Sequence, residues 1–237
     1  MFNGWKLLYS VAMAQFRKEA LVTGYYYHIF TRSIAKFVVF NDKDEYERLY
    51  QLIILYRHTN FDFRYSHFTR LTLQGQDEVV NKIENQNDHL VEIIAFCFMP
   101  THIHLVLKQT RDGGITKFMA RILNSYSKYF NTKHKRTGPL WSGRFKSVMV
   151  SHDKQLLHLT RYLHLNPTSA DLAKNPSDWP HSSYEEYISD NVTPRICRFG
   201  NIIDMSKKDY KRLTEDHKSY QRDLSIIKYL TIDSYSG

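Results

Sequence analysis

The chain has only two cysteines, Cys97 and Cys197, in 237 residues. That scarcity excludes a disulfide framework and a zinc-ribbon site, and it fits a reducing compartment such as the cytoplasm. Glycine is also sparse, at nine residues, which excludes collagen-like and glycine-rich low-complexity architectures. No apolar run approaches the roughly 20 residues that a bilayer-spanning helix needs. The longest covers residues 93–99, so an integral helical membrane protein is excluded. Acidic residues are short as well: 24 Asp and Glu face 33 Lys and Arg, leaving a net charge of +9. What is plentiful is aromatic, 17 Tyr and 14 Phe, in a composition that is 42% apolar and 24% charged and therefore globular. A basic, tyrosine-rich chain makes nucleic acid the first partner to test.

Residues 22–33 are rich in aromatic and β-branched types and predict a strand. Asp42 or Asp44 then opens a helix, with Tyr46, Leu49, Tyr50 and Ile53 at helical spacing. Residues 61–73 are ambiguous, and 75–90 hold a short helix. An apolar strand over 91–99 breaks at Pro100, and the alternating segment 102–108 forms its hairpin partner. After Gly113-Gly114, Ile115, Phe118, Met119, Ile122, Leu123, Tyr126 and Phe130 keep a three-four spacing that predicts an amphipathic helix. A basic loop leads to a strand over 144–150 and a helix over 153–166, expected to stop before Pro167. A loop-rich stretch follows. The last helix is expected over 206–229, with Tyr210, Leu213, His217, Tyr220, Leu224 and Ile227 on one narrow stripe. This order predicts an α+β fold: a ferredoxin-like antiparallel sheet with helices on one face, plus a C-terminal helical extension. The expected division is a leader over 1–20, a catalytic domain over 21–190 and the extension over 191–237. Within the leader, Lys6, Leu7 and Leu8 resemble a signal peptide only superficially, since Tyr9 and Ser10 break the apolar stretch; a start at Met13 stays open.

Charge is concentrated. From Lys108 to Arg161 there are twelve Lys or Arg and two acids, which is +10 and more than the whole net charge. A polyanion would be met there, with salt-dependent affinity. Arg144 and Lys146 alternate with Phe145 on the expected last strand and are candidates for phosphate contact. Lys117, Arg121 and Lys128 could line the same groove or simply solubilise their helix.

The chemistry-bearing residues form two groups. His102 and His104 sit two apart on a strand, so both imidazoles point to one face and can share a metal ion. Tyr162 and Asn166 are four apart on a helix and share one face, with His158 a turn earlier. Asn offers a carbonyl oxygen suited to Mg²⁺ or Mn²⁺. Tyr offers an oxygen nucleophile that is protonated at neutral pH and therefore wants a cation-polarised electrophile, such as a metal-bound phosphodiester.

Taken together, these segments resemble a known family. Met99-Pro100-Thr101-His102-Ile103-His104-Leu105 resembles the histidine-hydrophobe-histidine signature of the single-tyrosine transposases. Tyr27-His28 with Arg32 resembles that family's opening strand. Gly138-Pro139-Leu140-Trp141-Ser142-Gly143-Arg144-Phe145-Lys146-Ser147 resembles its glycine- and aromatic-bearing loop, Arg161-Tyr162-Leu163-His164-Leu165-Asn166-Pro167 its tyrosine helix, and Ser182-Ser183-Tyr184 the segment that follows. The likeness is to the REP-associated tyrosine transposases and covers about residues 22–190.

The resemblance implies a ferredoxin-like domain that cuts and rejoins single-stranded DNA, with hairpin-flanked DNA as partner and no membrane. Tyr162 matches the nucleophile, which would form a 5′-phosphotyrosine and release a 3′-hydroxyl. His102, His104 and Asn166 match the ligands of a divalent metal, Mg²⁺ or Mn²⁺. Arg32, Arg144, Lys146, Lys117 and Arg121 are the candidate DNA contacts, and the protein is expected as a monomer or homodimer. The chain departs from the family at Thr101, where Asn is common, at Ser142, where Gln is common, and in Thr168-Ser169-Ala170-Asp171-Leu172 after Pro167. These departures bear on DNA-sequence preference more than on chemistry. Three other readings remain beside the strand transferase: a domesticated or inactive single-strand-binding regulator, a metal hydrolase that uses water, and an RNA-binding module.

Overall fold

A computed structural model describes residues 20–200 and 202–216. The expected leader falls almost wholly outside them, as does the second half of the expected last helix. Four strands form one antiparallel sheet: β1 Tyr26–Arg32, β2 Val91–Met99, β3 His102–Gln109 and β4 Lys146–Val150, in the order β2-β3-β1-β4. That is the ferredoxin-like order, with the two sequence-adjacent strands β2 and β3 paired as a hairpin across Pro100-Thr101. The first strand is shorter than 22–33 implies, because Gly24, at φ +90°, turns the chain just before it.

The helices are α1 Lys43–Tyr56, α2 Tyr65–Phe68, α3 Leu73–Gln86, α4 Gly114–Lys133, α5 Asp153–Ser169, α6 Tyr184–Ile188 and α7 Lys207–Glu215. Asp42 caps α1 by accepting the Glu45 N–H at 3.1 Å, a contact that satisfies one of the orphan amides of the first turn. The ambiguous 61–73 region holds the short α2 and the start of α3. Gly114 opens α4 against β2's entry, where a Cβ would lie 2.2 Å from the Leu90 carbonyl oxygen; only glycine fits that approach.

The sheet is covered on both faces rather than one. On the first face, Phe40 stacks on Tyr46 of α1, packs against Phe98 of β2 and tilts against Tyr126 of α4. On the other face, α5 lies over the histidine-bearing side of β3. The reason is burial: nearly all side chains of β2 and most of β3 are buried on both sides, and a strand buried on both faces needs a cover on each. The outer edge of β2 is also covered. Phe98 N donates to His181 O, Ser183 N to Phe96 O and Arg198 N to Ile93 O, which removes an open edge from solvent.

Two further expectations are corrected. Helix α5 does not stop at Asn166 but continues to Ser169 with Pro167 inside it. The proline removes one backbone donor, yet Pro167 is buried and the last turn is held by Ala170 N to Asn166 O and by Thr168 Oγ1 to Leu165 O, at 2.8 Å. Tertiary burial outweighs the local bias. Arg144 lies ahead of β4, which begins at Lys146, so the two cations do not alternate along one strand. In the C-terminal part, α7 covers the beginning of the expected helix, and its Tyr210 is buried in the core.

Buried neutral imidazoles make this fold acid-sensitive. His58 and His89 pack ring to ring at 4.6 Å under the α1–β2 connection. Burial first, then Arg57, pushes His58 down to about 3. Burial first, then Arg198, pushes His89 down to about 4. Both lie below the ordinary value near 6.5, so between that value and about 4 the unfolded chain binds protons that the fold refuses. Stability is therefore full above about pH 6.5 and falls on acidification. Urea unfolding monitored from pH 7 to pH 4 should lose on the order of a few kcal/mol, and the double substitution His58→Gln with His89→Gln should flatten that slope.

Candidate active site

The register of the sheet decides which side chains meet. Arg32 of β1 lies opposite His102, and Phe30 opposite His104. On its other side Phe30 pairs with Lys146 of β4. Alternation then places Arg32, Phe30, His28, His102, His104 and Lys146 on one face, under α5.

The two histidines of β3 are each held by a partner through Nδ1. His28 Nε2 lies 3.0 Å from His104 Nδ1, and the two rings are nearly parallel at 5.2 Å. Thr101 Oγ1 lies 3.0 Å from His102 Nδ1. Both histidines thus have Nδ1 occupied, which fixes ring orientation and leaves Nε2 for the site. The His102 and His104 rings stand at 83° with centroids 4.9 Å apart. Across from them, Asn166 Nδ2 of α5 lies 3.3 Å from His104 Nε2. Tyr162, one turn earlier and 7% exposed, sets its ring perpendicular to that of His104 at 6.0 Å. His158 follows a turn before, also buried. The structure therefore brings together His102, His104, Tyr162 and Asn166, with Arg32 and Lys146 on the same sheet face.

Electrostatics suit ligation. Burial first, then Arg32, pushes His102 down to about 4. Burial, then the neighbouring His102, His28 and Arg32, holds His104 well below its ordinary value. Both rings are neutral at pH 7, the form in which imidazole binds metal. Among the described residues no three His, Cys, Asp or Glu side chains gather as a metal cluster. The donor set is instead two imidazoles and one amide, and a half-turn of the Asn166 amide presents Oδ1 at the position Nδ2 holds. Such a neutral set of nitrogen and oxygen donors would suit a divalent cation.

The loop before β4 is tied to the end of β1: Ser142 N donates to Arg32 O and Ile34 N to Leu140 O. Exposed Arg144 follows Gly143, whose φ of +149° lies in a region that disfavours side chains. Two of the expected DNA contacts lie elsewhere. Lys117 and Arg121 belong to α4, on the far side of the sheet, because both crossover helices pack on that face. Arg121 is occupied there by Phe61 O at 3.2 Å and by Asp62 at 3.6 Å.

The hydrogen bond of His28 to His104 depends on the β1–β3 register, which the residues of the first strand do not display by themselves. Thr101 was seen only as a departure from a family pattern; its hydroxyl supports His102. A third network was not legible. His164 Nε2 meets Ser183 Oγ at 2.8 Å, its Nδ1 meets Tyr210 Oη at 2.7 Å, and Tyr210 Oη donates to Thr160 Oγ1 at 3.1 Å. Helix α7 thereby clamps the outer side of the tyrosine helix.

An antiparallel four-stranded sheet carries the histidine pair beneath the tyrosine-bearing helix, and the chain that builds it matches a known family. A family model described as "Transposase IS200 like" matches residues 21–166, which is more than half of the chain and includes all four central residues. The chain belongs to the IS200-like transposase family. A Haemophilus influenzae protein named provisionally as a REP-associated tyrosine transposase is 26% identical over 114 residues, 44% of this chain and 64% of that relative. The Escherichia coli K12 REP-associated tyrosine transposase is 26% identical over 127 residues, 52% of this chain and 72% of that protein. This chain thus spans less than two thirds of the length of the Haemophilus relative it matches. A solved structure of a REP-associated tyrosine transposase bound to a REP hairpin is 18% identical with a TM-score of 0.49, covering 82% of this chain and 96% of that one.

Removing the Tyr210 hydroxyl strips two buried groups of a partner. Tyr210→Phe should lower unfolding stability by about 1–3 kcal/mol and expose the α7 segment to limited proteolysis before the rest of the domain, as read by mass spectrometry of the first cuts.

Proposed function

We propose that this protein is a transposase-type enzyme that nicks and rejoins single-stranded, hairpin-flanked DNA in the cytoplasm through Tyr162. The observation that carries the reading is the convergence of the neutral His102 and His104 rings with Asn166 and Tyr162 across the sheet–helix interface. A pure binding protein has no need of all four.

In this reading His102, His104 and Asn166 would hold Mg²⁺ or Mn²⁺. When bound, the divalent ion supplies Lewis-acid polarisation of a phosphodiester. Tyr162 Oη attacks the scissile phosphorus and loses its proton, the bond from phosphorus to the 3′-oxygen breaks, and that oxygen leaves as a 3′-hydroxyl after gaining a proton. The DNA remains attached as a 5′-phosphotyrosine. One phosphodiester is exchanged for another, so a 3′-hydroxyl can reverse the step without ATP. His28 and Thr101 act as positioning residues, holding the two rings through Nδ1. Arg32 and Lys146 lie on the same face and contact the DNA backbone flanking the cut, with Arg144 at its margin.

The decisive measurement incubates the full chain with single-stranded oligonucleotides from the DNA flanking its own gene, with Mn²⁺ or Mg²⁺, and resolves products on denaturing gels. A covalent protein–DNA adduct is expected for the wild type with metal, and none without metal or in Tyr162→Phe, which should still bind DNA. Binding without adduct in the wild type would replace the enzyme reading with a single-strand-binding regulator, and cleavage that persists in Tyr162→Phe would indicate a water-using hydrolase. A second expected outcome concerns His28→Ala. Loss of the Nδ1 bond should weaken Mn²⁺ binding in calorimetry by roughly 10–100-fold, with DNA affinity in the absence of metal retained.

A further inference from the structure

A basic concavity lies on the side of the sheet away from the histidines. A cleft of about 670 Å³ opens between α1, α2 and α4. Six cations line it, Arg48, Arg64, Arg70, Arg121, Lys128 and Lys133, and no carboxylate does. Two of these are matched nearby: Lys133 by Asp42 and Glu45, at 2.7 and 3.1 Å, and Arg121 by Asp62. Arg64, Arg70 and Lys128 form no ion pair among the described residues, and all three are exposed. Arg48 is positioned by rings instead of by acids. Its guanidinium sits 4.1 Å from the Tyr65 ring centroid and 4.6 Å from that of Tyr129, and its Nε is buried with no hydrogen-bond partner among the described residues.

A solvated basic surface normally interleaves acids among its cations. Here the acids sit behind the cleft or at its edge, and four positive groups converge on one hollow. That arrangement costs repulsion in the free protein, and a polyanion relieves it. The shape favours an extended anion. Arg121, Ser125, Lys128 and Thr132 follow one another along α4 at three- and four-residue steps, a row about 16 Å long at 1.5 Å per residue. One strand of a duplex stem, advancing about 3.4 Å per phosphate along its axis, would set several successive phosphates along such a row. Tyr56 and Tyr65 add apolar wall on which a sugar or base edge can rest.

We infer that this cleft is a second nucleic-acid contact, which holds the phosphodiester backbone at a distance from the phosphate that Tyr162 attacks. It rests on the reading of the protein as a DNA-processing enzyme. The segment between α1 and α3 builds one wall through Arg64, Tyr65 and Arg70, and α4 builds the other, so Lys128 serves this contact rather than the histidine face.

The test measures binding of fluorescent hairpin-flanked DNA by the full chain across a salt series. Three proteins are compared: the wild type, the cleft variant R64Q/R70Q/K128Q, and a control, K82Q/K174Q/K211Q, which removes the same charge elsewhere. The cleft variant should bind at least tenfold more weakly, and its slope of log affinity against log salt should be shallower by about two to three, at 0.7–0.9 per lost contact. The control should stay near the wild-type slope. The single exposed substitution R70Q should give a smaller change of the same sign, independent of any folding defect in the triple variant. Equal slopes for the cleft variant and the control would overturn the inference, as would displacement of a small anion, inorganic tripolyphosphate, from the cleft with DNA affinity untouched by the substitutions. The Tyr162-dependent adduct is scored on the same preparations. An absent adduct with a cleft-dependent salt slope refutes the nicking chemistry and supports the contact, whereas a normal adduct with an unchanged slope refutes the contact alone.

Discussion

The site depends on one chain of hydrogen bonds that crosses from sheet to helix: His28 to His104 at 3.0 Å and His104 to Asn166 at 3.3 Å. The first link exists only in one register of β1 against β3, because a slip of one residue would turn every side chain of β1 to the other face. The second exists only if α5 lies over that face and continues through Asn166 without fraying. The burial of Pro167 and the bonded last turn secure that continuation. Side chains of no distinctive chemistry thus determine where the distinctive ones meet.

Helix α5 is held from both sides. Toward the sheet it carries Tyr162 and Asn166. Away from it, His164 joins Ser183 of the segment that covers the β2 edge and Tyr210 of α7. Ser183 itself donates from its backbone to Phe96 and accepts the Phe96 N–H at 2.9 Å through Oγ. One buried histidine therefore connects edge protection, helix placement and the C-terminal helix. In a low-dielectric setting such a fully partnered network is rigid and costly to disturb. In the proposed reaction that rigidity has a chemical use, since Tyr162 and Asn166, one turn apart on α5, must face two rings on β3.

The positive charge divides between the two layers. Lys146 and Arg32 share the histidine face, with Arg144 beside it on the loop, while Arg121, Lys128 and Lys133 face the cleft on the far side. A stretch that reads as one basic block in the chain is split because α4 and β4 end in different layers. Counting charge along the sequence located the block, and it could not say that the block serves two surfaces.

Local chemistry made much of the protein legible before any coordinates. The alternation at 102–108 put both histidines on one side, the three-four spacing at 115–130 specified α4, and the order of elements implied an antiparallel ferredoxin-like sheet. These rest on periods of two and 3.6 residues, which a sequence displays directly. Other features came from the tertiary structure alone: the His28 contact, the joining of His164 to Ser183 and Tyr210, the passage of α5 through Pro167, and the removal of Lys117 and Arg121 to the opposite face. Each depends on strand register, on layer order or on burial that overrides a local bias. Those are relations between segments far apart in the chain, set by how the whole core packs, and no window of the sequence contains them.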